Sequence, residues 1–298
     1  MSGFVAVMLN PTAGRGKHRH GVAAALARLE AAGHSVKTLD AHSRAEADAA
    51  CRRAVADGAA ALVVVGGDGT VHLGLQAVAG TGVPFGVIPT GTGNDFVRAV
   101  GLTVDPATAG RAIAEAIEQG RTRAVDLARM HAPDGYRAWF GAVLACGFDA
   151  LVNERANGMR WPKGRRRYDL AIFREVLTLR ARRYRITLDD QIVEQEANLA
   201  AVGNAPSYGG GMRMCPGADL HDGLLDVVVA GPIGRATLLR LFPKVFEGTH
   251  TAHPSVKTYR SRSVTIEADG IVGYADGERS HALPLTITAE PGALTVLV

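Results

Sequence analysis

The chain has 298 residues, 47% of them hydrophobic and 21% charged, and a formal net charge of +4, the make-up of an ordinary globular protein with room for two domains or one large one. Its three cysteines, Cys51, Cys146 and Cys215, are widely spaced and form no CxxC pair, which argues against a disulfide framework or zinc site and for a reducing, cytoplasmic setting. No apolar run reaches the length of a membrane span, and the start, MSGFVAVMLNP, enters an apolar strand with no basic lead, so neither a transmembrane helix nor a signal peptide is expected.

Up to about residue 128, apolar runs alternate with helical patterns. FVAVML (4–9) reads as a strand, HGVAAALARLEAAG (20–33) as a helix closed by Gly33, and SVKTLD (35–40) as a second strand. A helix around EADAACRRAVADG (46–58), the strand ALVVV (61–65), a helix over 71–79 and the strand PFGVIP (84–89) follow. Short strands alternating with helices predict a doubly wound parallel sheet covered on both faces, an α/β domain over 1–128. After Asp126 the texture changes to β segments at 136–148, 184–189, 198–204, 224–231, 263–269, 283–290 and 293–298. They predict an all-β domain over 129–298, a sandwich or partly closed barrel, interrupted by helical insertions near 165–183 and 234–247.

Three glycine-rich turns fall at the carboxyl ends of strands of the α/β domain, where open parallel sheets bind ligands. They are NPTAGRGK (10–17), GGDGT (66–70) and PTGTGND (89–95). Bare backbone admits a ligand closely, and helix-start amides favour phosphate oxygens. Lys17 adds positive charge, and Thr70, Thr90, Thr92 and Asn94 add donors. Asp68 and Asp95 would repel a polyphosphate unless Mg²⁺ lies between. Taken singly, each turn serves equally well as strand-to-helix turn chemistry, with Asp68 and Asp95 as helix N-caps; three on one sheet edge point to a site. GxxxxGK[ST] is missing, GTGNDF lacks the last glycine of GxGxxG, and no HRD or DFG set occurs, which excludes P-loop enzymes, dinucleotide dehydrogenases and protein kinases.

These segments, in order, with GVIPTGTGNDFVRAVGL (86–102), VDL (125–127), GFDA (147–150), GNAPSYGGGMRMCPGADLHDGLLDV (203–227) and ADGE (275–278), make the chain similar nearly end to end to the soluble diacylglycerol kinase catalytic family of lipid kinases, which includes sphingosine and ceramide kinases. The resemblance implies an α/β nucleotide domain like that of NAD kinases and phosphofructokinases, followed by a β-sandwich, with ATP and Mg²⁺ as cofactors. It assigns Asn10, Pro11, Gly14, Lys17, Gly66, Gly67, Asp68, Gly69, Thr70, Thr90, Gly91, Thr92, Gly93, Asn94, Asp95 and Asp126 to nucleotide binding, the aspartates as the acidic network around the nucleotide's Mg²⁺. It makes Asp276 the general base and Glu278 its partner, although DG is also a hairpin-turn signal. It implies a structural Mg²⁺ held by Asp219, Asp222 and the carbonyl of Leu224, where a solvated Asx-turn is the alternative.

Between residues 155 and 185 there are eleven Lys or Arg against Asp169 and Glu175, a basic field suited to an anionic partner. Within it Tyr168, Ile172, Val176 and Leu179 recur at helical spacing, flanked by Phe173 and Leu177 and preceded by Trp161 and Pro162. That pattern fits a helix lying on anionic lipid, or one packing its stripe on the sandwich with solvated arginines. Aromatic residues are 5% of the chain, with no stacking platform beside the basic stretch, so nucleic acid is not expected as a partner; a homodimer stays open. The expected protein is a cytoplasmic, peripherally membrane-associated, ATP- and Mg²⁺-dependent kinase of a lipid hydroxyl, diacylglycerol first. The alternatives are NAD kinase-like phosphorylation of a soluble substrate and a non-catalytic, nucleotide-responsive membrane-binding protein.

Overall fold

A computed structural model of the chain describes residues 3–9, 19–31, 33–159, 161 and 165–298. Asn10, Pro11, Gly14 and Lys17 lie outside the described residues, as do Pro162 and the side chain of Tyr168. The chain forms two compact units, one of Met1–Leu127, Leu220–Asp222 and Glu290–Val298, the other of Ala128–Asp219 and Gly223–Ala289.

The first unit holds β1 (Phe4–Leu9), α1 (Arg19–Ala31), β2 (Ser35–Leu39), α2 (Arg44–Ala56), β3 (Ala61–Gly66), α3 (Asp68–Val78), β4 (Phe85–Pro89), α4 (Asp95–Ala99), α5 (Pro106–Gln119) and the start of β5 (Thr122–His131). β2, β1, β3 and β4 pair in that order, all parallel. Every residue of β3 and β4 is buried, as strands covered on both faces require, hence their unbroken apolar runs. Val5, Val7, Ala61, Val63 and Val65 pack with Ala25 and Leu29 of α1 and Ile113, Ala116 and Ile117 of α5. The opposite face meets α3 so closely that a Cβ on Gly74 would stand 2.7 Å from the Phe85 ring and 2.8 Å from Val64. Helices thus cover both faces, as a doubly wound sheet demands. α5 carries its boundaries in its sequence: Asp105 accepts from the Thr108 amide, Pro106 opens the helix and Gly120 closes it in the left-handed region.

The second unit continues with β6 (Arg137–Phe140), β7 (Val143–Gly147), α6 (Phe148–Gly158), α7 (Arg165–Leu177), β8 (Arg182–Thr187), β9 (Ile192–Ala197), β10 (Leu199–Gly203), β11 (Leu225–Ala230), α8 (Arg235–Glu247), β12 (Val256–Ser261), β13 (Ser263–Glu267), β14 (Val272–Ala275), β15 (Glu278–Ala282) and the start of β16 (Leu285–Leu297). One antiparallel sheet runs β9, β8, β13, β16, with the β5–β6 hairpin beside β16; the other runs β12, β11, β10, β7, β14, β15. Phe140, Tyr184, Ile186, Ile266, Leu285 and Ile287 from the first interleave with Leu144, Cys146, Ala200, Val202, Val227 and Ala275 from the second in one buried core, a β-sandwich.

Several sequence expectations shift in detail. Residues 283–290 and 293–298, read as two strands of the sandwich, form the single strand β16, whose last residues belong to the first unit and pair in parallel with β4 through Val296 and Phe85. The Pro291-Gly292 pair that suggested a turn does not reverse the chain there, because the Gly292 amide is taken up by the Asp126 carboxylate at 2.8 Å. The run 136–148 breaks into β6 and β7 at Gly141-Ala142. α6 had no sequence forecast; it opens directly from Gly147, at φ 140, with no side-chain cap.

The helix around Ile172 resolves its two sequence readings. Val176 is buried and Ile172 packs against Val152, Ala156 and Ala171, so these two residues of the stripe face the protein. Phe173 and Leu177, the flanking pair, are the ones turned outward, 60% and 48% exposed. Part of the basic field has partners on the protein itself: Arg155 pairs with the buried Glu175, while at the surface Arg183 and Arg185 pair with Glu194 and Arg182 donates to the Asp269 carbonyl.

Candidate active site

The GGDGT and GTGND turns meet. Asp68, the first residue of α3, accepts the amide of Asn94 at 2.9 Å through Oδ2 and that of Asp95 at 2.8 Å through Oδ1. Asp68 is therefore not the N-cap of its own helix, the bland alternative for it; it binds the opening of α4 across 26 residues of sequence. Asp95 is the first residue of α4 and Asn94 occupies the cap position in the left-handed region, φ 54, where asparagine is among the residues tolerated. Asn94 ties itself to the Gly91 carbonyl through Nδ2 at 3.0 Å, and Arg98 Nε donates to the Gly93 carbonyl.

The glycines are explained by approach of backbone to backbone. A Cβ on Gly91 would lie 2.6 Å from the Cα of Gly67, and one on Gly93 would lie 2.5 Å from Asp68 Oδ2. Positive φ in these turns falls on Asn94 and not on Gly67, Gly91 or Gly93. One part of the phosphate cradle is also revised: the Asn94 and Asp95 amides are satisfied by Asp68 and so are not spare donors for an anion. Thr70 and Asp95 are buried, Thr90 is half-buried and Thr92 exposed.

Asp126 on β5 is buried; its amide donates to the Leu220 carbonyl and its Oδ1 accepts from Gly292. The VDL segment, the ADLHDG segment and the chain's last strand are thereby joined within one unit. Next to Leu220, Asp219 and Asp222 are exposed and Leu224 half-buried, with Gly223 turning the chain at φ 68. Among the described residues no group of three or more His, Cys, Asp or Glu is set to hold a metal ion. Two carboxylates with a carbonyl fall outside that pattern, and a Mg²⁺ carried in on a nucleotide needs only one or two carboxylates beside its phosphates and waters, a number that Asp68 and Asp95 offer where the two turns meet.

In the second unit Asp276 stands at φ 52 and Gly277 at φ 81 between β14 and β15, the hairpin turn that DG signals. The Asp276 carboxylate accepts the Gly141 amide at 3.0 Å through Oδ2 and the Ala142 amide at 2.8 Å through Oδ1, while its own amide donates to Val143. A carboxylate has about four acceptor positions, and these amides use one on each oxygen. Turn residue and oriented carboxylate are thus the same residue. Glu278, half-buried, opens β15 opposite Ala275.

Two clusters here were not read from the sequence. Asp149, of GFDA, lies deep in the protein yet keeps some solvent access; Tyr208 donates its hydroxyl to Oδ2 and the Ala150 amide donates to Oδ1. Burial pushes its carboxyl up to about 6 against those two hydrogen bonds. Cys146, Cys215 and Tyr184, all buried, surround it and are themselves pushed up, chiefly by burial. The second cluster flanks the Asp276 turn: Glu154 of α6 accepts from the Tyr274 hydroxyl and from Arg279 Nε at 2.8 Å, and Asn157 reaches the same hydroxyl. The spacing of Glu154 and Asn157, three apart on one helix face, was the available signal, hidden because α6 itself was not foreseen.

Known proteins resemble the chain along nearly its whole length. Residues 5–130 match the model of the diacylglycerol kinase catalytic domain, and residues 142–298 that of the YegS C-terminal NAD kinase beta sandwich-like domain. A diacylglycerol kinase of Mycobacterium tuberculosis is 45% identical over 99% of this chain and 95% of its own length. One of Staphylococcus saprophyticus is 25% identical over 93% and 90%. The crystal structure of a diacylglycerol kinase from Bacillus anthracis covers 99% of this chain and 96% of that one with a TM-score of 0.71 and 23% identity, and a second structure from that organism gives 0.77 at 24%; both show the same fold. The chain belongs to the diacylglycerol kinase catalytic family and is a lipid kinase.

Proposed function

We propose that the protein transfers the γ-phosphate of ATP to the hydroxyl of a lipid, diacylglycerol before others, to give phosphatidic acid. The observation that carries the nucleotide half is the lock of Asp68 onto the amides of Asn94 and Asp95, which fixes two glycine-rich turns against each other at strand ends. The acceptor half leans on the 45% identity to a protein named diacylglycerol kinase.

Phosphoryl transfer asks a protein mainly for positioning and charge. Gly67, Gly91 and Gly93 let the two turns close on each other and, with Gly66 and Gly69, present bare backbone to the triphosphate, and the hydroxyls of Thr70, Thr90 and Thr92 donate to it. Asp68, Asp95 and Asp126 would be the oxygen donors to a Mg²⁺ brought by the nucleotide, which would neutralise phosphate charge. Asp276 takes the proton from the acceptor hydroxyl as the alcohol oxygen bonds to the γ-phosphorus and ADP leaves. The two amides on its carboxylate hold it in one orientation, and Glu278 adds a second charge beside it. Asp219, Asp222 and the carbonyl of Leu224 would hold a separate structural Mg²⁺. The acceptor is met at a membrane surface; no helix among the described residues is long and apolar enough to cross one.

Labelled ATP offered with diacylglycerol, sphingosine, ceramide and NAD tests this directly. Label in phosphatidic acid is the expected result. Label in NADP alone would replace the lipid acceptor with a ribose hydroxyl, and ATP binding without transfer to any acceptor would remove catalysis.

A further inference from the structure

The inward-facing stripe of α7 leaves open where the protein meets lipid, and α8 supplies the missing surface. Along α8 the exposed residues Ala236, Leu239, Pro243 and Phe246 follow one another at spacings of three, four and three, which places them in a single stripe on one helix face. Leu239 is 58% and Phe246 46% exposed, large apolar side chains that a soluble surface rarely lines up in this way. The opposite face is the anchored one, with Leu241 buried and Leu238 and Val245 half-buried, while the half-buried Phe242 flanks the stripe with its ring edge-on to Phe246 at 5.9 Å. Arg240 and Lys244 run along one side of the stripe and Arg235 along the other, against the lone acid Glu247 at the helix end. α7 touches α8, and its outward pair, Phe173 and Leu177, lies one turn apart with the exposed Arg166 on the same face.

We infer that the outer face of α8, extended by Phe173 and Leu177 of α7, is the surface on which this kinase docks onto an anionic bilayer. An apolar stripe edged by cations on both sides is the pattern of a helix lying in a membrane interface, its side chains among the acyl chains and its cations at the headgroups. Charge chooses between occupants. A second copy of the chain seated by two-fold symmetry would bring these cations against their own kind, whereas an anionic headgroup layer complements them. The inference rests on the lipid-acceptor reading above and adds where the acceptor's membrane is met.

The test is co-flotation with vesicles of phosphatidylcholine alone and of phosphatidylcholine with an equal part of phosphatidylglycerol, beside an assay on diacylglycerol dispersed in detergent micelles. Wild type is expected on the anionic vesicles and much less on the neutral ones, with binding weakened by salt. The exposed double variant Leu239→Ser/Phe246→Ser is expected to bind anionic vesicles at least about tenfold more weakly while phosphorylating micellar diacylglycerol at the wild-type rate. Arg240→Glu/Lys244→Glu, which leaves the apolar stripe intact, is expected to lose the preference for anionic over neutral vesicles. Undiminished binding by both variants, or no vesicle binding by wild type, would overturn the docking face. So would a wild-type dimer that the first variant makes monomeric with vesicle binding unchanged. The micelle assay decides the lipid-kinase reading separately in every one of these cases.

Discussion

Asp68 and Asp276 do the same physical thing in different units: each carboxylate closes two backbone amides, Asn94 and Asp95 for the one, Gly141 and Ala142 for the other. Hydrogen bonds to a charged acceptor contribute about 1.5–3 kcal/mol each, so Asp68→Asn, which turns one oxygen into a donor facing a donor, is expected to lower kcat/KM by about tenfold to a hundredfold or more, measured with saturating lipid and varied ATP. Gly91→Ala is expected to do at least as much, since its Cβ would meet Gly67 Cα at 2.6 Å and neither partner is the movable end of a side chain. Asp149 gives a pH signature. Its folded-state carboxyl is raised from 3.8 to about 6, so between those values the folded chain binds more protons than the unfolded one and stability falls as pH rises. The loss is at most about 3 kcal/mol, complete above pH 6 and absent below pH 4. Urea unfolding across that range is expected to show wild type losing stability relative to Asp149→Asn as pH rises; equal slopes would contradict it.

At the scale of elements, what the sequence made legible was what local chemistry controls. The apolar runs of β1, β3 and β4 and the switch from helical to alternating periodicity near residue 128 depend on neighbours in the chain, and they were readable. β16 was not, because whether Pro291-Gly292 turns the chain depends on Asp126, far away in sequence. The face of α7 was ambiguous for a related reason: Ile172/Val176 and Phe173/Leu177 are equally apolar pairs, and only packing against Val152 and Ala156 of α6 decides which is hidden. The same helix pair is pinned by Arg155 and the buried Glu175. Glu175→Gln is expected to cost about 1–3 kcal/mol, less than a fully buried pair because Arg155 keeps contact with water. Chemical denaturation at neutral pH checks this, and no change would show that the α6–α7 contact rests on its apolar residues alone.

For the molecule as a whole, the placing of the motifs was legible in the sequence, since glycine turns with acids cluster in the first 128 residues and ADGE sits in the β-rich remainder. The reason each glycine is there was not visible. The spacing suggested room for a ligand, whereas Gly67, Gly91 and Gly93 are first of all required by the contact of one turn with the other. The cluster around Asp149 stayed hidden because Cys146, Tyr208 and Cys215 come from segments that only the fold assembles. The measurement that tests the account most directly is transfer of label from γ-labelled ATP to micellar diacylglycerol by wild type and Asp276→Asn, with nucleotide binding followed in parallel. Labelled phosphatidic acid from wild type, with transfer by the variant reduced at least about a hundredfold at unchanged ATP affinity, is the expected outcome. Phosphatidic acid formed equally well by both would contradict the role of Asp276, and none formed by wild type would contradict the acceptor.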